Sequence, residues 1–233
     1  MFKIFIFVIA IAIANASVTT GYNTYSTATP SSVLTPTTGT VQPVILKSAS
    51  EVPIANPYET LVNRMTTKLG LSETQSQNAK IITDVLHTRL SAAIKGPNHR
   101  LAAYLIATAY SDNNLLTTPE ALQTDEKKRR IQESYVAQGF QGRGFVHFTG
   151  AFNYNRFARF VKVNINIIPN NLENPQVAAD VFVYGALNGK FTGEKIEKFI
   201  PAEGDFDFVR ARRSINGDIR ANEIAKLAQE ILA

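Results

Sequence analysis

From residue 57 onward the chain is a succession of helical patterns with clear start signals, and this feature restricts the fold more than any other. Ser72 and Gln75 form a capping box ahead of a segment whose apolar residues recur at helical spacing. Asn174 and Pro175 are typical of a helix start. The Asn side chain accepts hydrogen bonds from the first backbone N–H groups of a helix, which have no acceptor within the helix, and Pro suits the first helical position because it has no N–H. Further helices are predicted over residues 99–112, 152–161, 192–199, 205–213 and 220–232. The pattern predicts a mostly α domain.

Residues 142–154, GRGFVHFTGAFNY, form the most unusual motif of the chain. Gly142 and Gly144 allow a tight turn and a close approach of the backbone to a ligand. Residues 145–149 are expected to form a strand of one small β-hairpin, which Gly150 ends before the next helix. Arg143 either binds a carboxylate or orients a cleft wall, or it holds a nearby acid within an ordinary hairpin.

This motif resembles the signature of glycoside hydrolase family 19 chitinases and the related lysozyme-like phage endolysins. Further resemblance lies in ATAY at 107–110, NP at 174–175, FTGEKI at 191–196, ARRSING at 211–217 and IAKLA at 224–228. These segments occur in the order found in the family. The resemblance implies a mostly α, lysozyme-like α+β domain with one small β-hairpin at the cleft. It also implies hydrolysis of β-1,4 links next to N-acetylglucosamine, in chitin or in peptidoglycan.

The resemblance places Asp112 where the relatives carry the glutamate that acts as general acid. Ser111 replaces the histidine that precedes this glutamate, and Asp112 is one methylene shorter than the family's acid. A carboxyl near the C-terminus of a helix, buried against Tyr104 and Leu105, is expected to stay protonated. Its shorter reach is expected to reduce the rate, since misplacement of about 1 Å costs on the order of a hundredfold.

A second carboxylate is implied by the inverting mechanism, in which it activates water. Alignment on Pro119 places the relatives' second acid opposite Leu122, so Glu120 is the candidate base; alternatively it is an exposed acid in a loop or in the first turn of a helix. His147 stands where the relatives carry a substrate-binding Gln, and it either binds an acetamido group or packs on neighbouring Phe rings. The predicted substrate-binding residues are Tyr110, Arg143, His147, Thr149, Asn153, Tyr154 and Asn216.

The N-terminal part of the chain has two segments of different composition. Residues 1–16 combine Lys3, a short apolar run and the small residues Ala14 and Ala16, which is typical of a secretory signal peptide. Residues 17–56 are rich in Ser, Thr, Pro and Val and nearly uncharged, which predicts a disordered linker. Residues 57–233 are then the glycoside hydrolase-like domain. The protein is therefore predicted to be secreted, to an extracellular or periplasmic location.

Composition restricts the chemistry further. The chain has no Cys, three His and a formal net charge of +5. Scattered histidines without cysteine do not favour a zinc site, and no nucleotide-binding motif occurs, so no cofactor is expected. The expected partner is a polysaccharide, chitin or peptidoglycan, and the protein is expected to be a monomer. Binding to nucleic acid is not expected, nor is attachment to a membrane once the signal peptide has been cleaved. Two functions remain: a glycosidase that uses Asp112, and a catalytically impaired relative that binds chitin or peptidoglycan.

Overall fold

The computed structural model describes residues 56–161 and 163–233, and these are helical. The predicted signal peptide and nearly all of the predicted linker, residues 1–55, lie outside the described residues. None of the described helices is both long and apolar enough to cross a membrane. The α-helices are α1 (Glu59–Leu69), α2 (Glu73–Ala92), α3 (His99–Asn113), α4 (Glu126–Ala137), α5 (Ala151–Phe157), α6 (Pro175–Leu187), α7 (Phe208–Ala211), α8 (Arg213–Asn216) and α9 (Ala221–Leu232). Two 3-10 helices span Pro169–Glu173 and Ile196–Lys198.

Helix α3 lies at the centre of the fold. Every residue from 101 to 109 is buried, so all faces of this helix are covered. Four of these nine residues are alanines, and such small side chains allow neighbouring helices to approach closely. Helix α9 packs against α3 most extensively, while α2 packs on α6. A helix that is apolar all round is typical of the interior of a domain, and the polar C-terminal end of α3 is therefore the part that reaches the surface.

The predicted start signals are confirmed at two helices. Ser72 and Gln75 form both hydrogen bonds of a capping box at the start of α2. Asn174 accepts hydrogen bonds from the amides of Gln176 and Val177, and Pro175 is the first residue of α6. Other predicted bounds are too long. Helix α5 ends at Phe157 rather than at 161, and residues 192–199 contain only the 3-10 turn Ile196–Lys198.

The predicted small β-hairpin is wrong, because the described residues contain no strand. Arg143 and Phe148 form one isolated antiparallel bridge, with amide-to-carbonyl distances of 3.2 and 2.8 Å. Residues 144–147 make the turn between them, with positive φ angles at Gly144 and His147. The positive φ angle of His147 ends any extended conformation before further residues pair, and it leaves Phe145 in the main core and Phe148 in a second aromatic cluster.

Candidate functional site

The C-terminal end of α3 carries Asp112, the predicted general acid, in a buried ion pair. The two terminal nitrogens of Arg212 donate to the two carboxylate oxygens of Asp112 at 2.7 and 2.8 Å. The Arg212 side chain is 1% exposed and that of Asp112 is 11% exposed. Arg212 Nε also donates to the carbonyl of Ile219 at 2.9 Å. Such a bidentate pair stabilises an ionised carboxylate and occupies both of its oxygens, whereas a general acid must carry a proton.

Ser111, beside Asp112, ties the end of α3 to the start of α9. Its hydroxyl donates to Glu223 at 3.0 Å, and Arg220 donates to its carbonyl. Arg220 precedes α9 in a left-handed conformation, with φ 58°. Tyr110, two residues before Asp112 on α3, is partly buried and packs against the main core. The position held by a histidine in the resembling family is therefore occupied here by a structural hydroxyl.

Glu120 lies against the glycine motif. Its amide donates to the carbonyl of Gly142 at 2.9 Å, which fixes the loop after α3 to the motif. A Cβ atom placed on Gly142 would lie 2.9 Å from Glu120 Oε2, 3.0 Å from Thr149 Oγ1 and 3.1 Å from His147 Cβ. Only glycine leaves room for these three side chains to converge. The structure thus brings Glu120, His147 and Thr149 into one place.

Asn113 stabilises the loop after α3 that carries Glu120. Its side-chain nitrogen donates to the carbonyls of Leu116, Thr118 and Gly144, at distances between 2.9 and 3.1 Å. Asn114 has a left-handed conformation that ends α3. No motif in the sequence indicates this role, because an Asn at the end of a helix is a common helix-stop residue.

His147 faces the predicted carboxylates from the turn of the motif. Its Nε2 atom is buried and has no hydrogen-bond partner among the described residues. Burial lowers the pKa of His147, and the positive charge of Arg220 acts in the same direction. The negative charges of Glu120 and Asp112 act in the opposite direction. The imidazole is therefore neutral near pH 7, and its buried Nε2 keeps an unused hydrogen-bonding capacity.

We expect His147 to make the stability of the protein depend on pH below about 6.5, the ordinary pKa of histidine. Because its pKa is lower in the folded state, the unfolded chain takes up the proton first as the pH falls. The contribution of neutral His147 to the free energy of unfolding is therefore complete above the pKa that His147 has in the unfolded chain. It declines as the pH falls from that value toward the lower pKa of His147 in the folded protein. The free energy of unfolding in urea, measured from about pH 7 to about pH 5, checks this.

The free energy of unfolding of His147→Gln is expected to decrease less than that of the parent as the pH falls over this range. The matched control is His99→Gln, the same substitution at an exposed histidine outside the glycine motif. If the free energy of unfolding decreased equally for the parent and for His147→Gln, His147 would not contribute to the pH dependence of stability.

Arg143 and Tyr154 lie beneath the motif and hold its backbone. Arg143 is 6% exposed and its Nε donates to Glu173 at 2.9 Å, while a terminal nitrogen donates to the carbonyls of Gly139 and Gln141. The Tyr154 hydroxyl donates to the same Gln141 carbonyl at 3.0 Å. Burial raises the pKa of Tyr154. Of the three roles that the sequence left open for Arg143, the geometry agrees with holding a nearby acid, Glu173.

The remaining predicted binding residues have different settings. Thr149 donates to the carbonyl of His147 at 2.6 Å, and Asn153 donates to the carbonyl of Thr149 at 2.8 Å. Both stabilise the turn that presents His147. Asn216 is exposed at the end of α8. The described residues contain no group of three His, Asp or Glu side chains placed to hold a metal ion.

Two concavities differ in size and in relation to the predicted site. A cavity of about 10 Å³ lies beside Glu120, Gly142 and Thr149, beneath α4. A wider groove of about 500 Å³ lies between α2 and α6 and contains none of the predicted site residues. Its lining includes Arg89, which is paired with Asp180 at 2.8 Å. We place the candidate site at the smaller cavity, because Glu120 and Thr149 line it and His147 lies next to them beside Gly142.

Comparisons of the chain with protein-family models, with curated proteins and with solved structures give no match.

Proposed function

We propose that the protein binds β-1,4-linked N-acetylglucosamine polymers, chitin or peptidoglycan, and does not cleave them through Asp112. The observation that carries this proposal is the ion pair in which both oxygens of Asp112 accept hydrogen bonds from Arg212. Both oxygens are held by a buried cation, so neither is free to approach a glycosidic oxygen in this arrangement. The position of the family's general acid therefore serves the fold.

Binding is supported by the groups that converge beside Gly142. Glu120 has no side-chain hydrogen bond within the described part of the chain, and His147 Nε2 has no partner. A carboxylate accepts hydrogen bonds from sugar hydroxyls and from the acetamido N–H, and a neutral imidazole donates or accepts one. These groups match the polar edge of N-acetylglucosamine. The proposal includes secretion, which the signal-like residues 1–16 support, since both polymers lie outside cells.

Hydrolysis is a second candidate, and one observation favours it. The negative charges of Glu120 and Asp112 both act to raise the pKa of His147, which agrees with two carboxylates in its neighbourhood. Inverting glycosidases use two carboxyl groups about 6.5–9.5 Å apart, one as acid and one as base. In this function Asp112 would leave its pair with Arg212 to act as the acid, and Glu120 would be the base.

Replacement of Glu120 with alanine tests the binding proposal. We expect the variant to bind chitin oligomers or peptidoglycan fragments about 10- to 100-fold more weakly than the parent, because a hydrogen bond to a charged group contributes about 1.5–3 kcal/mol. Glu120 makes no side-chain ion pair within the described residues, so the fold should be unaffected. Isothermal titration calorimetry with both ligands measures the change.

The control is Glu203→Ala, which removes the same charge from an exposed residue elsewhere on the chain and should bind as the parent does. Equal affinity of Glu120→Ala and the parent would rule out Glu120 as a binding residue. Absence of binding by the parent to either polymer would contradict the proposed function itself.

A further inference from the structure

Helix α4 differs from every other described α-helix because it has no buried residue. Each of the others buries at least two residues, including the four-residue helices α7 and α8. All ten residues from 121 to 130, which lead into α4 and form its first turns, are exposed. A segment with so little buried surface has a low free energy of local opening.

The polar contacts of α4 are mostly internal to the same segment. Arg130 pairs with Glu126, and Arg129 pairs with Glu133, both within the helix. Gln132 accepts from the amide of Gln123 at 2.7 Å and donates to the carbonyl of Ala121 at 3.4 Å. These bonds hold α4 to its own leading segment. They do not attach it to the core formed by α2, α3, α6 and α9.

The underside of α4 covers the candidate site. Tyr135 is partly buried, and a Cβ on Gly150 would lie 3.5 Å from its ring. Tyr135 and Val136 line the small cavity together with Glu120. At about 10 Å³, this cavity is close to the minimum that holds one water molecule. A sugar ring cannot enter while α4 is in this position.

We propose that α4 is a lid over the glycan site and that Tyr135 is the residue that the lid places on the bound sugar. The inference rests on the proposed function, since the ligand is the same glycan. Opening exposes little apolar surface, because α4 buries little. Closing places the Tyr135 ring against the apolar C–H face of a pyranose, beside the carboxylate of Glu120, which lines the same cavity; such a mixture of aromatic and polar groups is common in ligand sites.

Lid motion is measured with pairs of spin labels, which the absence of cysteine makes straightforward. One pair joins Lys128→Cys on α4 to Asn155→Cys on α5, and both positions are exposed. The control pair joins Asn155→Cys to Lys226→Cys on α9, a helix that buries one whole face. Without ligand, we expect a broader distance distribution for the α4 pair than for the control. Saturating chitin oligomers should narrow the α4 distribution and leave the control unchanged.

The role of Tyr135 is measured by affinity for the same oligomers. Tyr135→Ala should bind about tenfold more weakly, which is typical of truncating an aromatic contact residue. Tyr135→Phe keeps the ring and should bind as the parent does. Lys127→Ala changes an exposed residue of the same helix and should also have no effect.

The outcomes separate this inference from the function on which it rests. The lid proposal would be overturned if the distance distribution of the α4 pair were as narrow as that of the control pair, and if it did not change on addition of an oligomer that the parent binds. Parent-like affinity of Tyr135→Ala would overturn the role of Tyr135. If the parent binds neither chitin oligomers nor peptidoglycan fragments, the proposed function and the role of Tyr135 both fall, while the distribution without ligand still decides whether α4 opens.

Discussion

Replacement of Arg212 with methionine is expected to lower the free energy of unfolding by about 3–5 kcal/mol, because it leaves a buried carboxylate without its cation. Arg212 is fully buried, and Asp112 is 11% exposed. Methionine fills much of the volume of the arginine stem but provides no donor. The variant also loses the hydrogen bond to the Ile219 carbonyl. Urea unfolding of the variant and the parent measures the difference.

The matched control is Arg213→Met, one residue along the chain. Arg213 pairs with Asp218 at the surface, and such exposed pairs contribute about 0–1 kcal/mol. A second variant, Arg212→Met combined with Asp112→Leu, removes both charges and should recover most of the loss. A loss below about 1 kcal/mol for Arg212→Met alone would show that the pair does not hold the carboxylate as described.

Replacement of Arg143 with methionine is expected to destabilise the protein by about 2–3 kcal/mol, because it leaves backbone carbonyls beneath the motif without a donor. The Gly139 carbonyl loses its bond to Arg143, and the Gln141 carbonyl keeps only Tyr154. The pair with Glu173 adds little to this value, since Glu173 is 39% exposed. Urea unfolding measures the loss of stability.

Arg159→Met is the control for this substitution, since Arg159 is exposed on the segment that follows α5. It should change stability by less than about 0.5 kcal/mol. Because Arg143 holds the turn that carries His147, its loss should also weaken glycan binding. Full stability of Arg143→Met, or full binding by a destabilised Arg143→Met, would contradict the supporting role of this residue.

Those helices that combine a start signal with apolar periodicity could be predicted from the sequence. Ser72 and Asn174 cap α2 and α6 because their side chains reach amides only two or three residues away. Such local contacts can be read from neighbouring residues. Segments without caps were predicted too long, as at residues 192–199, because periodicity alone does not indicate where packing ends.

The error at the glycine motif has a physical cause. An aromatic and β-branched run between glycines is typical of a strand, and such a run occurs at residues 145–149. However, Gly144 and His147 both have positive φ angles, which an extended strand does not contain, so the chain turns here. The residue types at 145–149 do not indicate a positive φ angle at a non-glycine residue such as His147.

The candidate site was predictable in part. The sequence indicated Asp112, Glu120 and His147, and the structure brings Glu120 and His147 together beside Gly142, while Asp112 is paired with Arg212 at the end of α3. The partner of Asp112 could not be predicted, because Arg212 is 100 residues away along the chain. The sequence indicated two influences on the Asp112 carboxyl, namely its burial and its place at the C-terminal end of a helix. In the structure, its strongest contact is with Arg212, which is distant along the chain.

The most direct test of glycan binding without cleavage measures both properties on one sample. The purified parent protein is incubated with insoluble chitin and, separately, with purified peptidoglycan; bound protein and newly formed reducing ends are then quantified. We predict that the protein sediments with at least one polymer and releases no reducing ends, and that Glu120→Ala remains in solution. Reducing ends released by the parent and not by Glu120→Ala would contradict this proposal and establish a glycosidase.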